Sequence, residues 1–430
     1  MKFFLFIILF LNFNLYSKEI NLKGIKYYDS NTNDFSENSN IFISNDIIKN
    51  ITKNRTDGIS FYALPSFCDI GVTLGADSLG GANTSSGIFL ALNSYLSHGF
   101  SHIYSINNPP YLSNLIGKKK IKYPHIKYSQ KSIIYLTNEY PSLSEEIYIT
   151  VKNEEQALQQ IQEQIKINTP IIYLLNRYNE DINYYFDSDF FRKVNKINNK
   201  SVIFISSFGD KTGNLDSIRS GMRYIQHPLS SEISQTISNE VLEKINYIPE
   251  LNVYRNLYIE KDKDEFIVEN EYLANISKYY KKYYYPEVKE KINSNNYDIE
   301  KYSKIKKEYD SYLEFLKNNN FLINNLIISG GSGNMLSFPG ISAIREFIIL
   351  NNILENPYLL VKALTKNSCP LFADNYNGVI REGEKANLLL YKENPFKSER
   401  GLLNIERMYI DGELISKEEI KEKDSKKTKK

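Results

Sequence analysis

Tryptophan is missing from the 430 residues, and cysteine, histidine and methionine occur only two, four and four times. Two cysteines rule out a multiply bridged secreted scaffold. Cys68 and Cys369 each sit in an apolar segment far from the other, which reads as two buried free thiols. Four histidines leave few donors for a transition metal, and only His227 falls at the end of a predicted strand. Neither sign of charge prevails: 53 Lys and Arg face 51 Asp and Glu, a net +2, so no whole-molecule field favours nucleic acid or a membrane surface. Common site signatures are missing too. SSFGDKTGN (206–214) lacks Walker spacing, SGGSGN (329–334) does not fit the dinucleotide fingerprint, and no G-x-S-x-G elbow occurs.

The longest leading apolar run, Phe3 to Leu11, is too short for a membrane span. It follows Met1-Lys2 and gives way to polar residues in NFNLYSKE, which is the form of a secretory signal peptide over residues 1–18. The protein is therefore expected to be exported, periplasmic or secreted, or membrane-anchored where the leader is not cleaved.

A chain of this length buries a large core. SNIFISNDIIKNITKN (39–54) alternates apolar and polar residues about an Asn-Asp turn, a β-hairpin pattern. NGVIREGEKANLLLYKENPF and NIERMYIDGELIS near the other end read as short strands around glycine turns. Residues 19–62 and 375–416 thus predict one β-sandwich module built from both terminal segments. Between them, over 63–374, strands alternate with helices. Residues 84–99 suit a helix stopping at Gly99, SHIYSI a strand, and Asn153 to Ile167 a helix. PIIYLLN, KSVIFISS, MRYIQH, NYIPELNVY and LIISGGSG carry further strands, with helices in LDSIRSG, SNEVLEKI and YDSYLEFLKNNN. Near-continuous apolar strands separated by helices predict an α/β fold with a covered parallel sheet, and a TIM-like (β/α)8 barrel has the right length. A Tyr/Lys-rich stretch at about 256–310 reads as an exposed helical insertion, and residues 417–430 as a charged, flexible tail.

In this order the segments resemble the amidohydrolase superfamily, especially its imidazolonepropionase-like branch. GVIREGEKANLLLYKENPF followed by IERMYIDGELI looks like that family's final strands, with Asn387 where Asp is usual. ALPSFCD, LSHGFSHIYSI, IRSGMRYIQH and NYIPELNVY match earlier strands, and the likeness spans residues 40 to 416. The resemblance implies a barrel mouth holding zinc or another divalent metal, which acidifies a bound water from a pKa of about 15.7 to about 7. It also implies where the ligands belong. The His-x-His pair falls on Gly71 and Thr73, the bridging Lys near Tyr173, the next His at Ile205 or Ser206, and the final Asp on Ser332; only His227 is kept.

One surviving ligand cannot hold an ion, since a catalytic zinc site needs about three protein donors. His98 and His102 are assigned to a helix-to-strand turn and His125 to a loop, and the acids near predicted strand ends are Asp69, Asp77, Asp210 and Glu250. No metal cofactor is expected. Gly71, Thr73, Tyr173, Ser206, His227 and Ser332 are the candidate ligand-binding residues. His227 with Ser332, Ser206 or Ser207 is the candidate metal-free nucleophilic set, and Tyr173 is expected to bond His227 or Thr73. The leading expectation is a degenerate relative that binds a small ligand or a partner at the mouth. The alternatives are an active hydrolase of carbon–nitrogen bonds with a reduced or rebuilt site, and an envelope interaction protein using the Tyr/Lys-rich stretch; nucleic acid is not an expected partner.

Overall fold

The computed structural model describes residues 19–55, 58–77, 83–106, 111–118, 122–135, 148–176, 186–197, 202–206, 211–259, 299–334, 336–372 and 375–415. The expected leader, the C-terminal residues after 415 and most of the Tyr/Lys-rich stretch lie outside these residues, as do Ser207 and Asp210.

The chain opens with β1 (Glu19–Asp29), β2 (Asp34–Phe35), β3 (Ser39–Ser44), β4 (Ile47–Lys53) and β5 (Phe61–Pro65). The hairpin of β3 and β4 turns at Asn45, whose φ of 58° suits the left-handed tolerance of Asn. Nine parallel strands follow: β6 (Phe67–Val72), β7 (Phe100–Ser105), β8 (His125–Tyr128), β9 (Ser132–Tyr135), β10 (Tyr148–Val151), β11 (Ile171–Leu175), β12 (Val202–Ser206), β13 (Tyr224–Gln226) and β14 (Asn246–Ile248). They form two arcs, β6-β7-β8 and β10-β9-β11-β12-β13-β14. Leu326 extends the second arc by a single parallel bridge to Tyr247.

Helices pack between the strands. The first, α1 (Ser85–Ser97), starts where the Thr84 hydroxyl accepts the Gly87 N–H at 3.0 Å, and ends at Gly99, which has a φ of 88°. The next two are α2 (Tyr111–Lys118) and α3 (Glu154–Lys166), the latter capped by Asn153 and burying Ala157, Ile161 and Gln164 at helical spacing. They are followed by α4 (Ser188–Ile197), α5 (Lys211–Arg219), α6 (Ser231–Ser234), α7 (Asn239–Leu242), α8 (Leu251–Ile259), α9 (Ile299–Asn318), α10 (Ile341–Leu354) and α11 (Pro357–Leu360).

The chain finishes with β15 (Leu388–Tyr391), β16 (Ile405–Ile410) and β17 (Glu413–Ile415), which return to the opening strands in the order β17-β16-β15-β5-β1-β3-β4. Two features differ from expectation. Among the described residues the parallel strands remain two arcs and no closed ladder of eight is formed. The terminal strands form one sheet where a sandwich of two was expected. The pleat of β15 explains the single sheet: Leu389 and Tyr391 join the large core shared with the helices, while Leu388 and Leu390 join Leu22, Ile25, Ile41 and Ile43 on the other face. The helical core supplies the second layer.

Inside the arcs, alternate residues converge. Cys68 and Ile70 of β6, Tyr104 of β7, Ile171 and Tyr173 of β11, Phe204 of β12 and Ile248 of β14 form one apolar cluster with Cys369, Phe372 and Tyr376. The cysteines there are not free thiols. Cys68 and Cys369 form a disulfide, with Cα atoms 5.4 Å apart and both residues fully buried. Residues 301 positions apart meet because the segment Cys369–Phe372 packs against β7 and joins Cys68 in one apolar cluster, a neighbourhood that no local pattern encodes.

Candidate functional site

The polar groups of the core gather where β6, β13 and β14 end and residues 329–331 begin. Two of them leave their strands in left-handed backbone: His227, after β13, has a φ of 75°, and Glu250, after β14, has a φ of 49°. Side chains other than Gly and Asn adopt this region at an energetic cost, and such residues concentrate at functional sites. His227 Nδ1 lies 3.2 Å from Glu250 Oε2, and both residues are at most 5% exposed. The other carboxyl oxygen, Oε1, accepts hydrogen bonds from Gln226 Nε2 at 3.0 Å and from the Ser329 hydroxyl at 2.6 Å.

Asp69 completes the cluster from β6. The Gly330 N–H donates towards both of its carboxyl oxygens at 3.3 Å, and the Tyr95 hydroxyl of α1 donates to Oδ2 at 3.3 Å. Behind Glu250, the Glu346 carboxylate of α10 accepts the Leu251 and Asn252 N–H groups at 2.9 and 2.6 Å, capping the first turn of α8.

Burial governs the protonation of these groups. It raises Asp69 to about 7 against the hydrogen bond from Gly330, with the Glu250 charge adding to the rise. It raises Glu250 to about 7 against the bonds from Ser329 and Gln226, and Glu346 to about 8 against those from Asn252 and Leu251. It lowers His227 to about 3. Near neutrality the imidazole is uncharged and the carboxyls sit close to their midpoints, so the cluster is suited to holding and exchanging protons.

These residues do not fit the divalent centre that an amidohydrolase mouth implies. Gly71 has no side chain, and a Cβ placed there would collide with the Ser329 hydroxyl and come within 2.8 Å of Glu250 Oε1. Thr73 instead donates its backbone N–H to the Ser332 carbonyl at 2.8 Å and packs against Gly333. Among the described residues no group of three or more His, Cys, Asp or Glu side chains is arranged to hold a metal ion.

The remaining candidates take varied places. Tyr173 is buried, but its hydroxyl donates to the Ile70 carbonyl at 3.1 Å and not to His227 or Thr73, because β6 lies across the interior from β11. Ser332 is 3% exposed, and its carbonyl accepts the Thr73 N–H. Ser206 ends β12 beside Leu175 and Gln226 in the ladder. His102 lies within β7, corrected from a turn, with its ring stacked on Tyr376 at 4.9 Å. His125 opens β8, corrected from a loop, with Nε2 2.9 Å from Asp411 Oδ2. Of the strand-end acids, Asp69 and Glu250 converge. Ser329, Gln226 and Glu346 escaped sequence reasoning. The one legible signal was Glu346, the sole acid of α10, next to Arg345 in the largely apolar IREFIIL.

A cleft of about 590 Å³ opens elsewhere, lined by Tyr27, Asp29, Lys366, Asn377, Arg381 and Glu382 among others, and shares no residue with this cluster.

No protein-family model matches the chain. No curated protein matches it either. Solved structures do. A putative prolidase from Bifidobacterium longum superposes with a TM-score of 0.68 at 13% identity, covering 93% of this chain and 94% of that one. A Xaa-Pro dipeptidase with bound methionine in its active site gives 0.67 at 14%, covering 93% and 100%, and an ochratoxinase from A. niger gives 0.65 at 14%, covering 93% and 95%. The neighbours are amidohydrolase-family proteins, and this chain shares their fold. At such low identity the likeness speaks for the fold alone.

Proposed function

We propose that this chain is an exported, amidohydrolase-like protein that binds a small ligand or a partner at the mouth of its parallel strands without a resident divalent metal. One observation carries the reading: the space that a side chain at position 71 would enter is held by the Ser329 hydroxyl, which donates to Glu250 at 2.6 Å. Transition-metal sites collect imidazole and carboxylate donors around open space. Here a hydroxyl and a carboxyl crowd the place beside position 71. Export is supported by the Cys68–Cys369 disulfide, a bond that persists mainly in oxidising compartments.

The competing reading, a hydrolase of carbon–nitrogen bonds, is favoured by the neighbours described as a prolidase and a Xaa-Pro dipeptidase. One experiment separates the two. The full-length chain is purified, incubated with zinc or manganese, desalted, and assayed for bound metal, for Xaa-Pro dipeptide hydrolysis and for dipeptide binding. Binding without turnover, at well under one equivalent of metal, is expected. A stoichiometric ion accompanied by turnover would establish the hydrolase instead.

A further inference from the structure

A cation site gathers acceptor atoms around a positive ion, whereas the cluster below Gly71 gathers donors around an acceptor. Glu250 Oε1 takes the Gln226 amide from β13 at 3.0 Å and the Ser329 hydroxyl from the last segment at 2.6 Å. The next two residues continue the linkage: the Gly330 N–H donates towards Asp69 of β6 at 3.3 Å, and the Gly331 N–H donates to Ser329 Oγ at 3.2 Å. Four chain segments are thus tied together through two carboxyl groups. Glu250, Ser329, Gln226 and Asp69 are at most 4% exposed, so water does not compete for these bonds.

We infer that the side-chain strut Gln226–Glu250–Ser329 stands where a divalent ion would otherwise tie these strand ends together, and that Gly71 is required to make room for it. The inference rests on the reading above that no ion is resident. It goes further, because it assigns the cross-linking role to particular residues and explains the glycine. Every other amino acid at position 71 carries a Cβ, which would meet the Ser329 hydroxyl before it reached any other atom. Moving the hydroxyl aside would break its bonds to Glu250 and Gly331. A ligand histidine cannot return to β6 unless the strut is dismantled first.

Thermal unfolding of the full chain and its variants tests this. Gly71→Ala is expected to lower Tm by roughly 3–6 °C through overpacking, and to cost less than half as much in a Ser329→Gly background, where the obstructing hydroxyl is gone. Glu250→Gln keeps an acceptor oxygen for both donors and is expected to stay within about 2 °C of the parent, while Glu250→Ala, which leaves both donors unpaired, falls further. Should Gly71→Ala fail to fold, the two Glu250 variants decide the question. Equal losses for Gly71→Ala in the two backgrounds, or equal losses for Glu250→Gln and Glu250→Ala, overturn the strut while the function proposed above stands. Zinc or manganese raising the parent's Tm along a saturable one-to-one curve would sink both.

Discussion

Cys68 and Cys369 form a disulfide at the base of the apolar interior, joining β6 to a segment 301 positions later. The closed loop contains most of the parallel strands, so the bond restricts much of the unfolded chain. Cys68→Ala/Cys369→Ala is expected to lower the unfolding free energy by roughly 2–5 kcal/mol. Denaturant titration measures this. Reductant added to the parent should reproduce the loss, and equal stabilities with and without the bond would refute it.

Stability should be greatest in mildly acidic solution. Burial holds Asp69, Glu250 and Glu346 well above their ordinary values, at about 7, 7 and 8, so the folded state retains their protons longer than the unfolded chain does. Their contribution is fully present below a pH of about 4 and is lost as the pH rises through 7 to 8. His98, His102 and His227 are held down by burial, at about 4, 3 and 3, so their contribution is fully present above the ordinary histidine value and is lost as the pH falls through 4 to 3. The two sets oppose each other between about 4.5 and 6.5 and leave a plateau, with decline on both sides. Glu346→Gln should flatten the alkaline arm. A Tm that still climbs between a pH of about 6.5 and 8.5 would contradict this assignment of charges.

Asn387 fastens the last hairpin. Its Oδ1 accepts the Asp411 N–H at 2.6 Å, and the residue is 1% exposed. The Asp411 carboxylate beyond it pairs with His125 and Lys385, which outweigh its partial burial and hold it near 2. Asn387→Ala leaves the part-buried Asp411 N–H without this partner and is expected to cost about 1 kcal/mol. Chemical denaturation reads the loss, and an unchanged midpoint would show that the bond contributes nothing.

Gly99 ends α1 under two constraints. Its φ is 88°, and an added Cβ would lie 2.7 Å from Leu389 and 2.9 Å from Ile405 of the terminal sheet. Gly99→Ala combines backbone strain with overpacking and should cost roughly 2–4 kcal/mol. A milder effect would mean that the sheet shifts to accommodate the methyl group. Trimming Leu389 to Ala in the same chain should then recover little.

Local chemistry wrote much of the fold into the chain. Thr84 and Asn153 mark helix starts by capping N–H groups, Gly99 marks a stop, and runs such as IIYLL and VIFIS are apolar because both faces of a parallel strand are covered. That Gly71 and Thr73 share one face of a strand was also legible, since an i, i+2 pair needs no distant partner to be read. Contacts between remote segments were not. The disulfide, the meeting of Glu250 with Ser329 79 positions later, and the bond from Tyr173 to Ile70 depend on how the arcs curve and which strand ends coincide. By itself the sequence determined the elements, their order and the small residues Gly71 and Thr73. Tertiary structure alone decided what packs against Gly71, because the energy of a buried hydrogen bond depends on the distance between its partners in the folded chain and not on their separation along it.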